Sequence, residues 1–537
     1  MASKSDGTRG AVELRTIEVV VVGHPMVIGI VSSRADRRRD AGDEHRETQR
    51  GRVTRMAPVI SNTASSATAS TLLPQVLAHC EASQPSAVER LTALLRIPSV
   101  STDPAFEGEV RRAAEWLTAD LASMGFTAEV CKTIGHPMVV AHHPGVGSEA
   151  MHAPRVLFYG HYDVQPADPL ELWTSPPFDP VVVDGPQGKR IVARGAVDDK
   201  GQVMSFLEAL RSWHAIAGGP PVPVTLLLEG EEETGSRSLE PFMHEAKDRL
   251  AGDICIVSDT GMWDIDTPAI TTRLRGLVYL ECTVHGPTRD LHSGMYGGAV
   301  PNPIQVLADV IHSFHDGNRR ITVAGFYDGV EELSAETRAQ WESLGFSDAE
   351  FLGDIGLSSG FGEQGRSCLE RTWSRPTLEV NGIFGGYTGK GAKTVIGAFA
   401  TAKISCRLVG QQDPERIKAA LKSHILARLP AGCRATFEEH GANPAISVRE
   451  SSPFLTVAND ALFEVYGRKP LLIGTGGSIP AVGSIKQILG MDALLIGFGL
   501  DDDRVHSPNE KFELRCFHSG TKCHAAILGK LASVKQR

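Results

Sequence analysis

The sequence predicts an α/β protein: a mixed, largely parallel sheet with helices on both faces, interrupted by a smaller α+β insertion. Three observations carry this reading. Short apolar runs, Val156 to Tyr159, Val224 to Leu228 and Ile254 to Val257, read as strands buried on both faces. Amphipathic helical stretches alternate with them, the succession of a layered α/β fold. After Arg275-Gly276 the pattern changes to half-buried, alternating strands.

Order is expected from about Leu72. Ser86-Ala87-Val88-Glu89 has the form of a capping box before a helix over Val88 to Leu95, which must stop before Pro98. A second helix is predicted from Glu107 to Met124. Its apolar positions Val110, Ala113, Ala114, Leu117, Leu121 and Met124 keep helical spacing, and Gly125 ends it. Gly201 opens a helix with Val203, Phe206, Leu207 and Leu210 on one face. In the insertion, strands are predicted at Leu277–Val284 and Ala402–Val409, and helices at Pro303–Phe314 and Pro414–Leu429. The stretch Leu357 to Ser367 reads as loop. Beyond about Ser451 come a helix over Pro453–Tyr466, a turn at Gly476-Gly477-Ser478-Ile479-Pro480 and a strand over Ala493–Phe498. The division is therefore 71–273 with 450–537 as one domain and 274–449 as the insertion.

A chain of 537 residues is too long for one core. Its net charge of −10 argues against a nucleic-acid partner. The nine cysteines form no CxxC pair and are odd in number, which suits small core residues in a reducing cytoplasm rather than a disulfide framework. Residues 1–70 read as a disordered extension, with Met56 as an internal candidate start and a targeting peptide as the minority reading. The apolar run Val19 to Val31 is shorter than the ~20 residues of a membrane span, so no membrane partner is expected.

The chemistry lies at the ends of the apolar runs. Gly160-His161-Tyr162-Asp163 follows the first, Glu229-Gly230-Glu231-Glu232-Glu233 the second, and Ser258-Asp259 the third. Ligand sites in parallel sheets form at such carboxyl ends. Arg194-Gly195-Ala196-Val197-Asp198-Asp199-Lys200 and a late histidine, His506, complete the set. Two adjacent divalent metals need imidazole and carboxylate donors and a shared ligand. His161, Asp198, Glu233, Asp259 and His506 supply them. Asp163 suits a group that orients the His161 imidazole, and Glu232 suits a proton acceptor. Glu231-Glu232-Glu233 could alone be a charged helix start, and Asp501-Asp502-Asp503 reads as a solvated run.

These motifs, in this order and spacing, resemble the M20 metallopeptidases, a family of dinuclear zinc dipeptidases, carboxypeptidases and deacylases. The resemblance covers roughly residues 75–537. It implies that Asp198 bridges both metals, that His161 and Asp259 complete one shell, and that Glu233 and His506 complete the other. It implies a cis peptide between Asp198 and Asp199, and two divalent ions per subunit, Zn²⁺ first and Mn²⁺ as alternative. The insertion becomes a ferredoxin-like lid and dimerisation domain. There His292, in Asp290-Leu291-His292-Ser293-Gly294, serves a neighbouring subunit of a homodimer. Arg407, in Ser405-Cys406-Arg407-Leu408-Val409, grips the substrate carboxylate, for which a guanidinium fork is suited. Thr394, His440, Gly477 and Ser478 match further substrate contacts.

The expected activity is hydrolysis of dipeptides by a metal-bridging water, with Glu232 as general base. Asp at position 259 favours the dipeptidase branch over deacylases and carboxypeptidases. Gly386-Tyr387-Thr388-Gly389 and Gly298 add to a likeness to cytosolic nonspecific, carnosinase-type dipeptidases. Relatives often carry Arg-Glu before the Gly-Gly-Ser-Ile-Pro turn, where this chain has Gly474-Thr475, a departure that bears on specificity. The rival readings are an N-acyl amino acid deacylase, such as a desuccinylase or deacetylase, and a catalytically silent metal-binding scaffold.

Overall fold

The computed structural model describes residues 68–353, 355–448, 451–476 and 479–534. The 1–70 extension expected from composition falls outside this range up to residue 67. Residues 69 and 70 already belong to a helix, Ala69–Ala82, that buries Ala69, Leu73, Val76 and Cys80. Helical spacing of those side chains gives the segment a packing face, which moves the expected boundary earlier.

The central sheet has the order Thr127–Cys131, Met138–His143, Val224–Glu229, Val156–His161, Ile254–Val257, Ala493–Leu495, Ala269–Leu274 and Ile446–Ser447, with Leu471–Thr475 also paired to Ala269–Leu274. Its middle strands, from Val224–Glu229 to Ala493–Leu495, pair in parallel. The flanks pair largely antiparallel. Alternate residues of Val156–His161 serve two cores. Val156 and Phe158 pack with the helices Glu107–Ala122, Lys200–Ala217, Pro453–Tyr466 and Leu514–Leu531. Leu157 and Tyr159 pack on the opposite face with Leu239–Glu245 and Pro480–Ser484. Both faces being covered explains why the central strands are uninterrupted apolar runs.

One local expectation fails. Ser86 does not cap: the helix begins at Gln84, with proline in its first turn, and the Ser86 hydroxyl donates to the Ser83 carbonyl at 2.9 Å. Pro85 sets the helical φ one turn earlier than the Ser–Glu pair suggests.

A second sheet is antiparallel, in the order Thr377–Gly385, Phe399–Leu408, Gly276–His285, Arg434–Asn443. With the helices Pro303–His312 and Pro414–Leu426 the chain runs βαββαβ around a separate core that includes Val278, Leu280, Ile404, Leu307 and Leu421. Two of the four strands were not anticipated. Thr377–Gly385 holds Gly382 and Gly385, and Arg434–Asn443 is mostly polar with no fully buried residue. A third, three-stranded sheet, Lys511–Glu513 with Gly188–Val192 and Val181–Gly185, ties the loop after Val192 to the C-terminal segment. Among the described residues no helix is long and apolar enough to cross a membrane.

The helix Leu514–Leu531 locks one core through His524. This buried ring stands edge-on to Phe206 at 5.2 Å and Phe498 at 5.3 Å. Its Nε2 is 3.2 Å from the Ser258 hydroxyl. Burial pushes its pKa from 6.5 down to about 3. The folded state therefore prefers the neutral ring. The stability this supplies is full above pH 6.5 and is lost as pH falls from 6.5 towards about 3. Urea unfolding of wild type and His524→Gln should show the variant with the shallower decline between pH 6.5 and 4, by up to about 1.4 kcal/mol per pH unit. Parallel declines would remove His524 from the acid response.

Candidate metal centre and active site

Each donor reaches the site from the end of a strand or from a loop tied to one. His161 is the last residue of Val156–His161 and is 1% exposed. Asp259 lies just past Ile254–Val257, and Glu232 and Glu233 lie in the turn after Val224–Glu229. Asp198 sits in the loop between Gly188–Val192 and the helix Lys200–Ala217. The Gly201 α-carbon lies so close to this loop that an added Cβ would stand 1.9 Å from the Ala196 carbonyl oxygen. Only glycine permits that approach. The Asp198–Asp199 peptide is cis.

Asp198 is the hinge of the arrangement. Its Oδ1 is 3.1 Å from His161 Nε2 and its Oδ2 is 2.9 Å from His506 Nε2. His506 Nε2 also lies 3.3 Å from Glu233 Oε2. Two donor sets result, His161–Asp198–Asp259 and Asp198–Glu233–His506, each with ligand atoms within 4.8 Å of one another. They share Asp198. Imidazole with carboxylate is the donor chemistry of Zn²⁺ and also of Mn²⁺. The residues present therefore fit a pair of cations.

The electrostatics point the same way. Burial alone pushes Asp198 upward, but the hydrogen bonds with His161 and His506 overcome it and hold the carboxyl well below the usual range. Burial and the nearby Asp198 charge push Asp259 well above it. Burial likewise raises Glu232; His161 opposes this, and Glu233, Asp163 and Asp198 add to it. A cluster of acids that raise one another lacks positive charge.

Asp163 does more than its sequence position suggested. His161 Nδ1 lies 3.1 Å from the Asp163 carbonyl oxygen and 3.4 Å from its carboxylate. The carboxylate meanwhile accepts the Glu232 and Glu233 backbone N–H groups at 3.2 and 3.1 Å, and the Ser101 hydroxyl at 2.6 Å. One buried acid thus fixes an imidazole and the turn that carries both glutamates. Gln165 donates to Glu233 Oε2 at 2.8 Å. Glu231 faces away: its carboxylate accepts the His136 and Ser238 backbone N–H groups.

Sequence reasoning missed Glu510. Fully buried, it accepts the N–H groups of Gly195 at 2.9 Å, Val197 at 3.0 Å and Asp198 at 3.1 Å, and Arg194 Nη1 at 2.6 Å. The strand Lys511–Glu513 beside Gly188–Val192 brings it there. Burial raises its pKa to about 7, against the pull of Arg194. Asp503, expected in a solvated acidic run, is 1% exposed and pairs with Lys511 at 2.6 Å. It also accepts the Leu500 N–H at 2.7 Å. Lys511 neutralises it, so the run is partly structural. The nearby loop holds Arg504, His506 and Asn509 at positive φ, a concentration of constrained backbone beside a donor.

The remaining candidates stand elsewhere. Arg407 is half-buried on Phe399–Leu408, and His440 on Arg434–Asn443 packs edge-on to Tyr279 at 5.4 Å. His292 is exposed on a two-residue ribbon paired to Val395, and its Nδ1 accepts the Gly294 N–H at 3.0 Å. Thr394 accepts the Ser293 N–H at its carbonyl. Gly477 and Ser478 lie outside the described residues.

If Glu510 templates the Asp198 loop, Glu510→Gln should bind metal about 10- to 100-fold more weakly while folding normally. Metal titration with far-UV circular dichroism checks this; unchanged affinity would make Glu510 a packing group only.

The family model for "Peptidase family M20/M25/M40" matches residues 157–530. The chain is 32% identical over 464 residues to the Cys-Gly metallodipeptidase dug1 of Schizosaccharomyces pombe, covering 83% of this chain and 96% of that protein. It is 30% identical over 385 residues to the Beta-Ala-His dipeptidase of Homo sapiens, covering 71% and 75%. Among solved structures it is similar to the di-peptidase Dug1p of Saccharomyces cerevisiae, at 28% identity and TM-score 0.69, covering 86% of this chain and 99% of that one. The M20 family metallo-carboxypeptidase Sso-CP2 of Sulfolobus solfataricus gives 31% identity and TM-score 0.72, covering 83% and 99%. With two donor sets meeting at one aspartate and a family match over most of its length, this chain belongs to peptidase family M20/M25/M40.

Proposed function

We propose that this protein is a metallodipeptidase that holds two divalent cations per subunit, Zn²⁺ first and Mn²⁺ as the alternative. The observation that carries the reading is the shared carboxylate: Asp198 presents one oxygen to His161 and the other to His506. His161, Asp198 and Asp259 would hold one cation; Asp198, Glu233 and His506 would hold the other. When bound, such a pair supplies an activated water and polarises a carbonyl.

The chain's own residues do the rest. Glu232 takes the proton of the attacking water on its carboxylate and delivers it to the leaving amine. Burial and neighbouring acids, which raise its pKa, make it a stronger acceptor than a solvated glutamate. Asp163 holds the Glu232 turn and the His161 ring in register. Arg407 takes the substrate's terminal carboxylate, and His440 and Thr394 add contacts.

The four-stranded domain acts in this reading as lid and dimer interface. Ile383, Phe384 and Phe399, on its edge strand and the next, are exposed, as is Met295 beside His292. Solvent-exposed apolar side chains on an edge strand suit a partner surface. His292 would then complete the site of a second subunit. The cytoplasm is the expected compartment, in keeping with free cysteines throughout the described chain.

Two measurements test the reading. A panel of dipeptides and N-acyl amino acids, assayed on a sample of known metal content, should show turnover of dipeptides; turnover of acyl amino acids alone would make the protein a deacylase. Glu232→Gln should lower kcat by at least about 100-fold with metal content unchanged. Wild-type kcat in that variant would remove Glu232 from the proton-transfer role.

A further inference from the structure

A cavity of about 640 Å³ opens beside Asp259. Its walls include Trp263, Phe346, Phe351 and Trp373. The rings brace one another: Trp263 meets Trp373 edge-on at 6.2 Å and Phe346 at 6.4 Å, and Phe346 meets Phe351 at 5.3 Å. Behind them Trp341 stands edge-on to Trp373 at 5.0 Å and donates its indole N–H to the Leu472 carbonyl at 3.1 Å. Phe346, Phe351 and Trp373 come from the segment between Pro303–His312 and Thr377–Gly385, which adds three short helices to the βαββαβ run. Buried Arg375 anchors that segment through Glu363 and Glu332, each at 2.9 Å.

Gly474 makes this wall possible. A Cβ there would stand 2.7 Å from the Trp373 Cβ and 3.1 Å from its Cγ. Any larger residue displaces the indole.

Among the described residues lining the cavity, the charged side chains are Asp259 and Asp501. With Asp259 among the donors for a cation, Asp501 is the acid left to the cavity, and its carboxylate attracts an ammonium group and repels a carboxylate. Of the guanidiniums, Arg275 donates to the Gly476 carbonyl at 3.1 Å, and Arg407, on the antiparallel sheet, is the group assigned above to the substrate's carboxylate. We propose that the cavity receives the side chain of the substrate's amino-terminal residue, and that it selects bulky apolar side chains, aromatic before aliphatic. The volume is that of a small-molecule site and admits an indole, and aromatic walls reward ring-to-ring contact. This inference rests on the dipeptidase reading.

The test uses the full chain loaded with Zn²⁺ or Mn²⁺, and kcat/KM for Ala-Gly, Leu-Gly, Phe-Gly and Trp-Gly beside Gly-Ala, Gly-Phe and Gly-Trp. Phe-Gly and Trp-Gly should exceed Ala-Gly by about 10-fold or more, with the gain largely in KM. Gly-Phe should gain little over Gly-Ala. Phe346→Ala should lower the Phe-Gly to Ala-Gly ratio several-fold. Dipeptide cleavage with equal rates for Ala-Gly and Phe-Gly, or a preference that follows the second residue, overturns this inference alone. Failure to cleave any dipeptide overturns the activity it rests on as well. The wild-type panel decides the matter even if Phe346→Ala does not fold.

Discussion

Too much negative charge converges on one point, and the molecule is organised around that fact. Asp163, Asp198, Asp199, Glu232, Glu233 and Asp259 surround two histidines at the carboxyl ends of the parallel strands. In water such carboxylates would separate. Here burial and mutual repulsion push Asp199, Asp259 and Glu232 above their usual range, while Asp198 is held low only by its two imidazole partners. Imidazolium would offset part of this charge. Divalent cations would offset far more, and the donor spacing accepts them.

Holding those acids together demands a rigid frame. Parallel pairing brings the ends of Val156–His161, Val224–Glu229 and Ile254–Val257 side by side. Asp163 then accepts two backbone N–H groups of the Glu232 turn and the Ser101 hydroxyl, and Glu510 uses three backbone N–H groups and Arg194 to fasten the Asp198 loop. Lys200, whose pKa burial lowers to about 7, donates to the Ile97 carbonyl at 2.6 Å and ties the same loop to the first helices. These supports hold the segments that carry the donors and so govern their geometry.

The convergence of His161, Asp198, Glu233 and Asp259 was legible in the sequence because each stands beside a glycine turn or a strand end, and because apolar runs buried on both faces cannot be mistaken for surface strands; His506, in the loop before Lys511–Glu513, carries no such local mark. The helices Glu107–Ala122 and Pro453–Tyr466 were legible from spacing alone. Glu510 was not: an acid followed by Lys511 looks solvated, and only the pairing of Lys511–Glu513 with Gly188–Val192 aims it at a loop 312 residues away. Asp503 was misread for the same reason. The strand Arg434–Asn443 was missed because its second face is polar, and the aromatic wall because Trp341, Phe346, Phe351 and Trp373 are scattered over short helices. Local pattern reports local structure; convergence of distant segments has no local signature.

Metal stoichiometry of wild type against Asp198→Ala tests the shared-carboxylate arrangement most directly. The account predicts two equivalents of Zn²⁺ or Mn²⁺ per chain in wild type, and loss of tight binding at both sites from the single substitution, with the fold retained by circular dichroism. Retention of one tight equivalent at unchanged affinity in Asp198→Ala, or a single equivalent in wild type, would contradict it.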